Sequence, residues 1–179
     1  MANAASHIPN GTYFQACWVV NDLHAAMRYW RETQGVGPFY YLEHPVVHDF
    51  SHRGTPTTLD FTAALAQAGP LQIELIAQRD GRGSAYRDSF AEGQEGFHHL
   101  GTIADDYDAT FDHYRARGYE VAHMGVSGDM RFAYFDTRRD MACMVEIIER
   151  KQSMTDFFRM IADAAIDWDG SDPYRCVTL

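Results

Sequence analysis

QACWVVNDLHAAMRYWRE, residues 15–32, is the stretch whose reading decides the fold. Asp22 lies seven residues after Gln15, and Ala25, Trp30 and Arg31 follow that Asp by three, eight and nine. A second stretch, HLGTIADDYDATFDHYR at residues 99–115, places Asp106 seven residues after His99, with Ala109, Tyr114 and Arg115 at the same three offsets. Each copy reads as a strand, an Asp at a helix start and an amphipathic helix. Asp suits that start because its carboxylate accepts from the unpaired amides of the first turn. The helices are expected over residues 22–34 and 106–117, each stopped by a glycine, Gly35 and Gly118. Ala25, Met27, Tyr29 and Trp30 in one, and Tyr107, Phe111 and Tyr114 in the other, supply apolar faces.

Three strand-like segments follow each helix. In the first half they are residues 39–43, 57–64 and 71–77; in the second, 119–124, 131–135 and 143–149. The last strands match again, Ile73-Glu74-Leu75-Ile76 beside Val145-Glu146-Ile147-Ile148. Two anchored matches point to a duplicated βαβββ unit, an α+β chain with modules at residues 12–78 and 97–150. The polar, glycine-rich residues 79–96 read as the linker. Residues 151–179 have no counterpart. Ser153 with Asp156 resembles a capping box, and Phe157, Phe158, Ile161, Ala165 and Trp168 recur at helical spacing, so a C-terminal helix over residues 153–168 is expected. The simplest reading packs it on its own domain; a pocket lid or dimer contact is the alternative.

Four polar groups sit where apolar strands have no structural use for them. Glu74 and Glu146 lie inside runs of Ile, Leu and Val, Gln15 lies among Phe14, Cys17, Trp18 and Val19, and His99 opens a strand over residues 99–103. A carboxylate buried without a partner costs several kcal/mol, so it finds a cation or a proton. Strand alternation puts Glu74 on one face with Gln72 and Ile76. Duplication pairs Gln15 with His99 and Glu74 with Glu146, and two half-sites facing one another would converge all four on one cation. Each also has a plainer reading: a solvent-facing Glu, a satisfied core amide, a satisfied core imidazole. His98 competes with His99 as ligand, but the register on Asp106 favours His99 and turns His98 away from the site.

Composition narrows the function classes. The formal net charge is −10 and Lys151 is the only lysine, so nucleic acid and acidic membranes are poor partners. Cys17, Cys143 and Cys176 form neither a disulfide framework nor a zinc motif, which suits a reducing compartment. Residues 1–11 lack the basic and apolar regions of a signal peptide, and no apolar run approaches a membrane span. A cytoplasmic protein is expected.

At Gln15–Leu23, Gly35–Phe39, Leu71–Ile76, Gly96–Gly101 and Val145–Ile148 the chain resembles the vicinal oxygen chelate superfamily of glyoxalases, bleomycin-resistance proteins and extradiol dioxygenases. It looks closest to members similar to glyoxalase I and methylmalonyl-CoA epimerase. The resemblance implies two βαβββ modules forming an open eight-stranded cup, with ligands on the first and last strand of each. Carried over by position, the metal ligands are Gln15, Glu74, His99 and Glu146, the ligand types of eukaryotic glyoxalase I-like enzymes in the same order. Epimerase-like members usually have His first and Gln second, and this chain departs from them there. One imidazole and three side-chain oxygens suit a single divalent ion such as Zn, Ni, Co, Mn or Fe. The implied function is an isomerase, epimerase or lyase acting on a small carbonyl substrate with adjacent oxygens through an enediolate. Glu146 and Glu74 are the candidate proton carriers, the alternative being that both are ligands only. A small-molecule substrate and a second copy of the chain are the expected partners.

Two rivals come with the resemblance. An extradiol-type dioxygenase usually holds iron with two His and one Glu, whereas only one ligand position here is His. A metal-free sequestering protein of the bleomycin-resistance type would not need four intact ligand positions. His44, His48 and His52 lie four apart, but Pro45 and Gly54 favour a loop there. Residues 81–84 lack the Lys that a phosphate loop needs. Cys17 shares a face with Gln15 and reads as a packing thiol at the pocket edge; Phe132 and Tyr134 lie on a strand beside the cup. The scarcity of lysine disfavours a CoA or other phosphate-rich carrier.

Overall fold

Asp22 and Asp106 cap their helices in the same way: each side chain accepts from the amide three residues on, Ala25 and Ala109, at 2.9 Å. That bond explains the Asp at each helix start; it is made to a backbone amide and does not itself select the Ala. The computed structural model describes Pro9 and residues 11–178; residues 1–11, read above as no leader, fall largely outside them. In chain order the first half holds β1 (Gln15–Val19), α1 (Leu23–Gln34), β2 (Phe39–Glu43), β3 (Val47–His52), β4 (Thr55–Pro56), β5 (Phe61–Ala68), β6 (Leu71–Gln78) and α2 (Ala85–Ser89). The second half holds β7 (Gly96–Ala104), α3 (Tyr107–Ala116), β8 (Val121–Ser127), β9 (Met130–Phe135), α4 (Arg138–Met141), β10 (Met144–Glu149), α5 (Gln152–Ala165) and β11 (Tyr174–Cys176).

The strands form one sheet in the order β11-β2-β5-β6-β1-β7-β10-β9-β8-β3-β4. Its middle eight are the expected cup. In each module the first strand runs parallel to the last, β1 with β6 and β7 with β10, and β1 meets β7 antiparallel. The four strands that carry the singled-out residues are therefore the four at the centre. Ile73 and Leu75 pack outward with Leu23 and Met27 of α1, and Val145 and Ile147 with Tyr107 and Tyr114 of α3. The opposite face gathers Cys17, Ile76, Phe132, Tyr134 and Ile161. Among the described residues no helix is long and apolar enough to cross a membrane.

Four expectations are corrected. Residues 47–52, read as part of a loop, are strand β3, which reaches across to pair with β8 of the other module; Pro45 and Gly54 flank this strand instead of breaking it. The linker carries α2, capped by Ser84, with Ala85 and Tyr86 buried. The C-terminal helix starts at Gln152 with no side-chain cap, because the Ser153 hydroxyl donates instead to Asp129 at 2.6 Å. It ends at Ala165, and Trp168 lies beyond it, its indole donating to the Ser171 carbonyl at 2.7 Å. The helix packs on its own sheet through Ile161 and Met154, and its Phe157 and Phe158 wall the cup.

Candidate metal centre

Gln15 and Glu146 lie on one rung of the sheet, each paired with Gly101 of the strand between them. Glu74 and His99 lie on the next, each paired with Cys17. A Cβ at Gly101 would come 2.6 Å from Gln15 Oε1 and 3.1 Å from Gln15 Cβ, so a side chain there would displace the Gln15 carboxamide. The missing side chain lets the Gln15 carboxamide lie over the strand. Gln15 Nε2 donates to Gln72 Oε1 at 2.8 Å, which leaves its oxygen free. Gln72 is the face-mate of Glu74 expected from alternation, and it orients the amide.

His99 is oriented by its neighbour. β7 has a bulge opposite Cys17 and Trp18: Cys17 pairs with His99 and Trp18 with Phe97, so His98 is the extra residue. A bulge re-aims a side chain. His98 therefore does not face away, as alternation suggested; it is buried, with its Nδ1 2.9 Å from Nδ1 of His99 and its Nε2 3.0 Å from the Ala85 carbonyl. A carbonyl only accepts, so His98 Nε2 carries a proton. Burial, aided by the adjacent His99, keeps the His98 pKa well below the usual imidazole range, so the ring is neutral. Its bare Nδ1 then accepts from Nδ1–H of His99. This network assigns the tautomer of His99 and turns Nε2 toward the carboxylates.

That nitrogen stands 3.2 Å from Glu74 Oε2 and 3.4 Å from Glu146 Oε2. The four singled-out residues line one region, and three of their atoms, Gln15 Oε1, Glu74 Oε2 and His99 Nε2, are buried with no hydrogen-bond partner. Buried polar atoms are nearly always satisfied, so three together mark the place of something that satisfies them. Two oxygens and an imidazole nitrogen, with the Glu146 carboxylate beside them, are a donor set for a divalent cation. Burial opposes charge on His99, but its contacts with Cys17, Glu146 and Glu74 outweigh this and raise its pKa well above the ordinary value. Glu146 is raised above the usual carboxylate range by burial, with His99 working against the shift.

Cys17, expected at the pocket edge as a packing thiol, lies among the donors. It is wholly buried, and its sulfur lies with donor atoms of Glu74 and His99, all within 4.8 Å of one another. Burial pushes its thiol above the usual range against the pull of His99, so it is neutral at pH 7 and packs beside the donors. Tyr134 lies against His99 with ring centroids 4.6 Å apart, and its hydroxyl is 3.3 Å from that of Tyr86. Burial, with Glu146 close to Tyr134 and Glu74 close to Tyr86, raises both phenols, so they stay protonated. Tyr86 escaped the sequence reading because α2 was taken as linker; Ser84 before an apolar pair is the cap signal that marks it. His44 and His52 go to separate partners, Asp60 at 2.5 Å and Asp88 at 3.2 Å, and form no cluster.

Above these groups opens a cavity of about 340 Å³, with Gln15, Glu74 and Glu146 in its lining beside Phe132, Tyr134 and Phe158. A family model for the glyoxalase/bleomycin resistance protein/dioxygenase superfamily matches residues 14–134. The chain belongs to that superfamily. No curated protein matches it by sequence. Among solved structures it is similar to a hypothetical protein from Bacillus halodurans C-125, at 14% identity over 79% of this chain and 95% of that one, with a TM-score of 0.57. It is also similar to methylmalonyl-CoA epimerase from Mycobacterium tuberculosis, at 15% identity over 85% and 99%, with a TM-score of 0.51. At such identity these likenesses show the fold. Proteins of this superfamily commonly bind a divalent metal, and the donor cluster lies on the central strands of the shared sheet.

Proposed function

We propose that the chain is a divalent-metal-dependent isomerase, epimerase or lyase of the glyoxalase type, acting on a small carbonyl compound with two adjacent oxygens. Gln15, Glu74, His99 and Glu146 would hold the ion, of the Zn, Ni, Co, Mn or Fe kind. The observation that carries the reading is the trio of buried, unpartnered atoms on Gln15, Glu74 and His99. A divalent cation supplies Lewis acidity to neighbouring substrate oxygens, making the adjacent C–H bond more acidic.

The chain's own residues do the rest. Glu146 is the proton acceptor: burial raises its pKa above the usual carboxylate range, against the pull of His99, which makes it a stronger base than an exposed carboxylate. Glu74, on the other side of His99 Nε2, returns the proton or remains a ligand. Tyr86 and Tyr134 keep their protons and offer hydroxyl donors beside the carboxylates. The apolar walls exclude water from the carbanion-like species. The superfamily and the similar epimerase support this chemistry; Gln15 and Glu74 in place of His and Gln separate the chain from epimerases of the usual pattern. A cytoplasmic homodimer belongs to the same reading, and sedimentation tests the dimer.

The dioxygenase reading lacks a second His ligand, because both nitrogens of His98 are engaged, with Ala85 and His99. A metal-free sequestering role would pair Glu74 Oε2 with His99 Nε2 at 3.2 Å but leaves the buried Gln15 Oε1 without a partner. Metal analysis of the purified chain, followed by solvent-deuterium exchange into 2-hydroxy ketones, tests the proposal. It predicts one ion per chain and metal-dependent exchange of the α-hydrogen. An oxygen requirement for turnover, or exchange unaffected by chelation, would overturn it.

A further inference from the structure

The cavity has a polar floor, mostly apolar walls and a second small polar patch at Ser127, Asp129 and Ser153. Its polar floor is Gln15, Glu74 and Glu146, with the Tyr86 and Tyr134 hydroxyls. Its walls are hydrocarbon: Leu42, Val47, Phe50 and Phe61 come from the first module, Phe132 from the second, and Phe157 and Phe158 from α5. Among the described residues lining it there is no Arg, Lys or His; the charged ones are Glu74, Glu146 and Asp129, all acidic. Asp129 stands at the turn between β8 and β9, held by Ser153 of α5. An anionic tail running through this cavity would meet no cationic side chain, and three carboxylates, on a chain whose net charge is −10.

We infer that the substrate is an uncharged compound with a compact aromatic or alicyclic body, carrying its two adjacent oxygens at one end, and neither a phosphate-bearing thioester nor a peptide conjugate. The placing of the two oxygens rests on the function proposed above; the nature of the body rests on the walls alone. The volume agrees. An apolar cavity of about 150 Å³ accommodates one benzene, so about 340 Å³ takes a body of roughly two rings or one substituted ring. The phenylalanines around it present faces and edges to a ring, and burying hydrocarbon there is the main source of affinity. Aliphatic wall residues such as Leu42 and Val47 fit an alicyclic body equally. The α5 side chains complete the enclosure, giving the unduplicated C-terminal segment a part in selecting the substrate.

The test is a ranking of ligands by calorimetry on the full chain loaded with one divalent ion. Hydroxyacetone, 2-hydroxyacetophenone, 4-(2-hydroxyacetyl)benzoate and acetyl-CoA are titrated in turn. The first three share one hydroxyketone and differ in their bodies: none, a neutral ring, and a ring with a carboxylate at its far end. The inference predicts that 2-hydroxyacetophenone binds about a hundredfold more tightly than hydroxyacetone, from the extra carbons buried. That binding carries a negative heat-capacity change, the mark of buried apolar surface. The carboxylate should weaken it by about tenfold or more, and acetyl-CoA should bind more weakly still. Equal affinity for hydroxyacetone and 2-hydroxyacetophenone would overturn the inference, as would preference for the carboxylate or acetyl-CoA. Either result leaves the proposed proton transfer standing, since that is read by deuterium exchange. The predicted ranking together with no exchange would instead remove the proposed function and keep the apolar-body assignment.

Discussion

His98 and His99, neighbours in sequence, share a hydrogen bond from Nδ1 to Nδ1 at 2.9 Å, because a bulge in β7 turns both rings to the same side of the sheet. The relay runs from the Ala85 carbonyl through His98 to His99 and leaves His99 Nε2 free for a cation. Outer partners of a metal-binding His fix its tautomer, and their loss costs about 10–100-fold in metal affinity. His98→Leu should weaken divalent-ion binding by that factor, measured by chelator competition, and His98→Gln, whose amide oxygen can accept from His99, should restore part of it. Equal affinity in His98→Leu and the wild type would show that the relay does not orient the ligand.

Gly101 makes room for Gln15. Gly101→Ala puts a Cβ 2.6 Å from Gln15 Oε1 and 3.1 Å from Gln15 Cβ. Such overpacking typically costs about 1–3 kcal/mol. We expect lower stability and weaker metal binding together. Adding Gln15→Ala should recover stability in urea unfolding without recovering the metal. Recovery of both would mean that Gln15 is not a ligand.

Acid should destabilise the fold through His123. Its ring is buried, and its Nε2 accepts from the Ala85 amide at 2.9 Å. Burial, helped by His52 and Arg53, lowers its pKa to about 3. The unfolded value is about 6.5, so the unfolded chain binds the proton first and stability falls as the pH drops below about 6.5, toward the folded value. The loss attributable to this ring by pH 5 is about 2 kcal/mol. Urea unfolding of the wild type and His123→Phe at pH 7.5 and pH 5 checks it: the variant is less stable at pH 7.5 but loses less on acidification. Equal losses in the two proteins would remove His123 as the cause.

Glu146→Gln separates ligand from base. The amide keeps a neutral oxygen near His99 and cannot take a proton. Metal content should fall modestly, and kcat by roughly 10²–10⁴, the usual size of a general-base contribution. Glu74→Gln should do less if Glu74 serves mainly as a ligand. Exchange of the substrate α-hydrogen at the wild-type rate by Glu146→Gln would show that another group is the base.

The duplicated frame was legible because its signals are local. Asp22 and Asp106 cap helices within three residues, and Glu74 and Glu146 break the apolar character of their own strands. The convergence of Gln15, Glu74, His99 and Glu146 followed from that symmetry. What escaped depends on partners distant in sequence. The bulge at His98 is a property of how β7 meets β1, not of the His-His pair. β3 gains its strand character from β8, more than seventy residues later. Tyr86 joins the cavity because α2 packs against its lining, whereas Cys17, legible as a face-mate of Gln15, proves to pair with both Glu74 and His99.

The central claim is that four side chains hold one cation, and equilibrium titration with a divalent ion tests it most directly. The wild type should take up one equivalent per chain. Gln15→Ala, Glu74→Ala, His99→Ala and Glu146→Ala, each shown to be folded by circular dichroism, should each bind that ion at least about tenfold more weakly, with His99→Ala among the most impaired. Uptake of one equivalent at unchanged affinity by folded His99→Ala and Glu74→Ala proteins would place the cation elsewhere and contradict the account.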